Sequence, residues 1–254
     1  MKWDSKLYDQ SQSFVSEYGT ELISFIPQNK QQHILDLGCG TGDLSYKLSK
    51  ISSHVVGVDG SEVMIAKAKE KFPHLHFKVM DACNMQWKNI FDVVFSNAVF
   101  HWISDQSTLL AGVHAALKDG GRLVCEFGGS GNIAQIEDAY SNVLQARGIE
   151  YKSPFYFPAV EEYSVLLNSS GFSIDKIYDY DRPTPLPDGK AGLRRWMMQF
   201  FDGSLSQFKK NEQQYIFGEV EKTLKKDLFD GTKWLADYRR IRVIAHIGES
   251  DSGV

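Results

Sequence analysis

Two rhythms divide the chain. Up to about residue 130, short apolar runs alternate with stretches whose apolar positions recur every three or four residues. The runs HILDL (His33 to Leu37), HVVGVD (His54 to Asp59), LHFKVMDA (75–82), FDVVFSNAVF (91–100) and RLVCEF (122–127) have strand length and are rich in Val, Ile and Phe. Between them the pattern predicts a helix over Asp43 to Lys50 and another over SEVMIAKAKEKF, capped by Ser61 and stopped before Pro73. A third covers Asp105 to Lys118 and closes on the glycines of DGG. Apolar strands that alternate with helices read as parallel βαβ units in a doubly wound sheet.

Beyond about Ala134 the rhythm changes. Helices are expected over Ala134 to Arg147 and over Val160 to Ser169, the second stopping at Gly171. FSIDKIYDYD reads as a sixth strand and RRIRVIAHI as a seventh. The helical, aromatic-rich stretch from Gly189 to about Tyr238 reads as a cap inserted before the last strand. The expected organisation is one α/β domain over residues 1–254. Its sheet is seven-stranded and mostly parallel. Residues 1–30 form an N-terminal lid, 31–130 a ligand-binding core and 189–238 the helical cap.

Composition narrows the class. With 254 residues, 43% of them hydrophobic and 24% charged, the chain has material for a sizeable core. The net charge of −4 argues against a nucleic-acid partner. Cys39, Cys83 and Cys125 are widely spaced, which disfavours a disulfide framework or a zinc site. The polar start MKWDSKLYDQ shows no secretory signal, and no apolar run approaches the roughly 20 residues of a membrane span. A reduced, cytoplasmic protein is expected, with no membrane partner. It is expected to be a monomer or homodimer.

The candidate chemistry begins in ILDLGCGTGDL, where Gly38, Gly40 and Gly42 follow the first strand. In a doubly wound sheet, ligands bind outside the carboxyl ends of the strands. The loop lacks the Lys of a phosphate-binding P-loop, and its G-x-G-x-G spacing departs from the dinucleotide pattern. Asp36 before the loop would repel a pyrophosphate and attract a cation such as an α-ammonium group. Asp43 adds a second negative charge. Asp59 ends the second strand, where an acid accepts ribose hydroxyls. Asp81 ends the third strand and Asn97 the fourth. Three acids and an amide on successive strand ends suit a nucleoside that carries positive charge.

Together, DLGCGTG, GVDGS, the DA pair and FDVVFSNAVFHW resemble the class I S-adenosylmethionine-dependent methyltransferases. SNAVFHWI, the N-terminal Trp and Tyr, and the ending RIRVIAHI resemble the trans-aconitate methyltransferase-like branch, which acts on small molecules. The resemblance implies a Rossmann-like methyltransferase fold, S-adenosylmethionine as methyl donor, S-adenosylhomocysteine as product and no metal. It implies that Gly38, Cys39 and Gly40 pack against the methionine moiety, with Asp36 near its ammonium group. Asp59 and Gly60 would take the ribose, and Met64 would lie against the adenine. Asp81 and Ala82 would hold the adenine edge, and the Asn97 carbonyl would face the methionine end. Trp3 and Tyr8 become lid candidates.

His101, just past the fourth strand, is the best-placed candidate base, or else a wall of the pocket. Trp102 beside it is a candidate substrate contact or core. In the cap, Trp196 and Arg194 are candidate substrate contacts, although helical spacing at Trp196 and Phe200 also suits plain packing. Between Lys190 and Arg242 there are 12 Lys and Arg against 7 Asp and Glu, a local excess of +5 that could attract a carboxylate. Transfer from a sulfonium is an in-line displacement, and positioning can lower its barrier by roughly 7–11 kcal/mol. A carboxylate acceptor needs no base; a hydroxyl or amine would need one, and His101 would then matter. Two other classes fit less well: a nicotinamide-dependent oxidoreductase and a non-catalytic S-adenosylmethionine-binding module.

Overall fold

The period-two alternation of the strands is realised as a sheet buried on both faces. Leu35 and Leu37 of β1 (His33–Leu37) face one core, with Val94, Leu123, Cys125 and Phe127. Ile34 faces the opposite core, with Val55, Val93, Phe95 and Val124. The structure, a computed structural model, describes residues 19–248. The lid candidates Trp3 and Tyr8 lie outside the described residues.

The seven strands are β1, β2 (His54–Asp59), β3 (His76–Val79), β4 (Phe91–Asn97), β5 (Leu117–Gly128), β6 (Phe172–Asp181) and β9 (Arg239–Ile247). Their order is β3-β2-β1-β4-β5-β9-β6. A short antiparallel pair joins β7 (Thr184–Pro185) to β8 (Leu235–Ala236). β1 pairs in parallel with β2 on one side and β4 on the other, with Asp36 level with Gly57 and Phe95. The strand order therefore reverses at β1 and β4, and their carboxyl ends open the crevice that doubly wound sheets use for ligands.

The helices are α1 (Asp43–Leu48), α2 (Glu62–Lys71), α3 (Gln106–Ala116), α4 (Ala134–Gln145), α5 (Val160–Ser169), α6 (Gly192–Phe200), α7 (Asp202–Leu205) and α8 (Lys210–Leu228). Ser61 caps α2 as expected, its hydroxyl accepting from the Met64 N–H at 3.4 Å.

Two boundaries differ from the pattern. α3 ends at Ala116 without a glycine cap, and DGG lies inside β5 instead. Phe91 pairs with Leu117 but Val93 with Arg122, so DGG is accommodated as a bulge. β3 stops at Val79, which leaves Asp81 to cap a 3-10 turn at Ala82–Asn84. The stretch expected to be helical holds three helices, α6, α7 and α8. The Lys209 N–H donates to the Glu212 carboxylate at 3.1 Å and restarts the chain as α8.

The chain forms two compact units. The larger comprises the described residues up to Ser130, Phe155–Asp179 and those from Ile241 onward. The smaller joins Gly131–Pro154 to Tyr180–Arg240, so it takes in α4 as well as the stretch expected to form the cap. α4 packs on α8 in the smaller unit, and the Tyr140 and Phe201 rings meet there at 4.6 Å. Among the described residues, no helix is long and apolar enough to cross a membrane.

Candidate functional site

The loop after β1 is tied to β2 through its backbone. The N–H groups of Gly38 and Cys39 both donate to the Val58 carbonyl, at 2.7 and 2.8 Å. Gly38 has φ 78°, and a Cβ there would stand 2.1 Å from the Val99 side chain. Only glycine meets both demands, because the backbone is left-handed and β4's exit segment presses directly on it. Val99 was not foreseen as a neighbour of this loop.

Asp36 lies beneath the loop, 1% exposed. The Ser45 hydroxyl donates to its Oδ2 at 2.5 Å. Burial pushes the Asp36 carboxyl up to about 7, with Ser45 opposing the rise and the charge of Asp59 adding to it. A buried acid held at such a value is poised to exchange its proton for a cation. Ser45 was missed in the sequence; its signal is a polar residue on the buried face of α1. Asp43, counted as a second negative charge, is paired with Lys71 at 2.7 Å. Burial drives the Cys39 thiol well above its ordinary range, which makes it a poor nucleophile.

Asp59 bridges two turns. Its Oδ2 accepts from the Gly40 N–H at 3.0 Å and its Oδ1 from the Ser61 N–H at 2.8 Å. Burial raises its pKa, against the pull of these two donors. Each carboxylate oxygen retains acceptor capacity for a hydroxyl. Gly60 is exposed, and Met64 is buried on the first turn of α2. Asp81 is exposed, and its Oδ1 accepts from the Cys83 N–H at 2.9 Å. Ala82, half-buried, follows it in the 3-10 turn.

Asn97 ends β4, 9% exposed. Ala98 then turns the chain at φ 61°, and its N–H donates to the Glu126 carbonyl at 2.7 Å. A 3-10 turn at Phe100–Trp102 carries His101, which is 6% exposed. The Gly128 N–H donates to His101 Nδ1 at 3.2 Å, and the His101 carbonyl accepts from the Tyr156 N–H at 2.9 Å. The ring of His101 lies 5.4 Å from Trp102, 6.2 Å from Phe155 and 5.8 Å from Phe157. Phe155 meets Trp102 edge-on at 4.7 Å. The larger unit thus brings His101, Trp102 and the FYF segment into one aromatic cluster beside the β1 and β4 ends. The Gly128 N–H as a donor to His101 leaves no mark in the sequence.

Trp196 and Arg194 belong to the smaller unit. Trp196 is 4% exposed, and its indole N–H donates to the Tyr238 hydroxyl at 2.7 Å. Arg194 forks onto Glu221 at 2.6 and 2.7 Å and donates to Gln214 at 3.0 Å. That geometry ties α6 to α8. Among the described residues, no group of three or more His, Cys, Asp or Glu is arranged to hold a metal.

Residues 34–121 match the methyltransferase domain family. An uncharacterised methyltransferase of Schizosaccharomyces pombe is 31% identical, over 96% of this chain and 97% of its own length. The trans-aconitate 2-methyltransferase of Deinococcus radiodurans is 29% identical, over 77% of this chain and 79% of its own. Among solved structures, the phosphoethanolamine N-methyltransferase 2 of Haemonchus contortus, in complex with S-adenosyl-L-methionine, shares the fold. It superimposes with a TM-score of 0.58 and 23% identity, over 92% of this chain and 52% of that one.

Proposed function

The chain belongs to the class I S-adenosylmethionine-dependent methyltransferases, and from that premise we propose that it methylates a small-molecule carboxylate. The observation that carries the cofactor assignment is the pair of acids around the glycine loop: Asp36 buried beneath it and Asp59 laced to it through the Gly40 N–H. Two carboxylates at this point disfavour a pyrophosphate and suit a cationic nucleoside. The likeness to trans-aconitate 2-methyltransferases over most of the chain supports a carboxylate acceptor.

In this reading Asp36 receives the ammonium group, and the backbone at Gly38, Cys39 and Gly40 lies along the methionine moiety. Asp59 accepts the ribose hydroxyls beside Gly60. Met64, Asp81 and Ala82 border the adenine, and the Asn97 carbonyl closes the methionine end. S-adenosylmethionine supplies a methyl group on a sulfonium, already activated toward displacement. The protein's part is to hold the acceptor in line with that methyl and to keep water out. The aromatic cluster of Trp102, Phe155 and Phe157 serves the second task.

Calorimetric titration with S-adenosylhomocysteine tests the cofactor site. Micromolar or tighter binding is expected, weakened at least about 100-fold in Asp59→Ala, because two charge-assisted hydrogen bonds are lost. Absence of binding to folded wild-type protein would overturn the assignment. A transfer assay with a panel of small acids, trans-aconitate first, then tests the acceptor class.

A further inference from the structure

We infer that Gln106 is a positioning residue of the acceptor side: its buried amide fixes the turn that carries His101 and Trp102 before any acceptor arrives. This rests on the reading of the site as a methyl-transfer centre and adds a residue to it.

The inference starts from the backbone of that turn. Between β4 and α3 the chain makes the 3-10 turn Phe100–Trp102. The Trp102 N–H donates to the Val99 carbonyl at 2.9 Å and the Ile103 N–H to the Phe100 carbonyl at 3.1 Å. Bonds of this type have poorer geometry than those of an α-helix, and one turn of them holds weakly. The Gln106 amide reinforces it. Its Nε2 donates to the Phe100 carbonyl at 2.8 Å and to the Ile103 carbonyl at 2.6 Å. Those two carbonyls flank His101 and Trp102, so one amide clamps the turn at both ends. From the other side, the His101 carbonyl accepts from the Tyr156 N–H at 2.9 Å.

The amide is itself held. Gln106 is 5% exposed, and the buried Tyr163 of α5 donates its hydroxyl to Oε1 at 3.0 Å. Turning the amide over would set Oε1 against two carbonyls, so the network fixes its orientation. Helix α3 does not need this side chain. Asp105 already caps it, Oδ1 accepting from the Thr108 N–H at 3.0 Å and Oδ2 from the Thr108 hydroxyl at 2.7 Å. Gln106, at the start of α3, instead spends both amide protons on the turn before it.

The consequence reaches the reaction. Val99, the residue just before the turn, closes on Gly38, so the turn begins at the mouth of the crevice. In-line transfer is sensitive to placement, and a shift of about 1 Å can cost about 100-fold in rate. A wall built in advance by a buried network does not have to be ordered by the acceptor. None of these hydrogen bonds involves Asp36, the glycine loop or Asp59, so the cofactor side is set independently.

Hydrogen exchange followed by NMR, on protein saturated with S-adenosylhomocysteine, tests the clamp. Gln106→Met keeps the length of the side chain but donates nothing. Its Trp102 and Ile103 amides should exchange at least about 10-fold faster than in wild type. The amides of β1 and α1 should keep their rates, and affinity for S-adenosylhomocysteine should stay within about twofold. Tyr163→Phe removes only the orienting hydroxyl and should speed the same two amides less, about threefold. Unchanged exchange at the turn would overturn the inference. Equal acceleration across the whole sheet would overturn it too, by reducing Gln106 to a residue of general stability. Should Gln106→Met fail to fold, Tyr163→Phe decides by the same criteria. Exchange settles the clamp whichever acid the protein methylates. In the transfer assay, with trans-aconitate as the probe, Gln106→Met should lower kcat/KM for the acceptor about 10- to 100-fold while KM for S-adenosylmethionine holds. Wild-type turnover, or a loss confined to the cofactor's KM, would count against the acceptor role and sink the inference. Failure of the methyl-transfer reading would show separately, as wild-type protein that does not bind S-adenosylhomocysteine, whatever the exchange rates.

Discussion

Asp36 shows how one residue couples stability, pH and ligand. Its carboxyl titrates near 7 in the folded protein against 3.8 unfolded, with burial as the main cause. Between those values the native state holds the extra proton. Its contribution is fully present below pH 3.8 and is lost as pH rises through 7, by roughly 4 kcal/mol in all. Ligand-free Asp36→Asn should therefore gain stability relative to wild type as pH rises from 4.5 to 8, read from urea midpoints. Equal midpoint differences at both pH values would refute the shift. Binding runs the other way. An ammonium beside Asp36 favours its ionised form, so the affinity for S-adenosylhomocysteine should weaken up to tenfold per unit as pH drops below 7. In Asp36→Asn that slope should vanish, and calorimetry across pH 5.5–8.5 would reveal it.

At the level of elements, the loop between β1 and α1 is shaped as much by β4 as by its own glycines. Gly38→Ala would put a methyl 2.1 Å from Val99 Cγ2 in a left-handed backbone. Strain and overpacking together should cost about 2–4 kcal/mol. Adding Val99→Ala removes the clash but not the backbone penalty, so the double variant should recover part of the loss. A double-mutant cycle by denaturant unfolding measures the coupling. Strict additivity of the two substitutions would show that the contact carries no weight. The same elements explain why DGG was misread. A glycine pair after an amphipathic stretch is a good helix stop, but the strand's pairing with Phe91 and Val93 absorbed it as a bulge.

Across the whole molecule, residues remote in sequence are locked by Arg242, 1% exposed, on β9. Its guanidinium reaches Glu126 on β5 at 2.7 Å, Glu21 at 2.9 Å and the Tyr178 hydroxyl at 3.1 Å. Its neighbours raise its pKa further, overcoming the effect of burial. Arg242→Met removes the guanidinium from the buried Glu126 carboxylate and should cost about 3–5 kcal/mol. Arg242→Met with Glu126→Leu should regain much of that, in thermal or urea unfolding. A single-variant cost below about 1 kcal/mol would sink this account.

The local pattern by itself determined the βαβ order, the bounds of β1, β2, β6 and β9, the Ser61 cap and the family. Each of these depends on residues adjacent in sequence: apolar period, turn chemistry and a glycine run followed by acids. Tertiary structure alone decided the rest. Only the packed sheet sets Val99 on Gly38, Ser45 on Asp36 and Lys71 on Asp43. Only the fold turns Arg194 toward Glu221 and Trp196 toward Tyr238, and only it sets the Gly128 N–H on His101 Nδ1. Except for Ser45 with Asp36, nine residues apart, these are contacts between segments far apart in the chain. They arise because every buried charge and backbone N–H must find a partner among whatever neighbours the topology supplies.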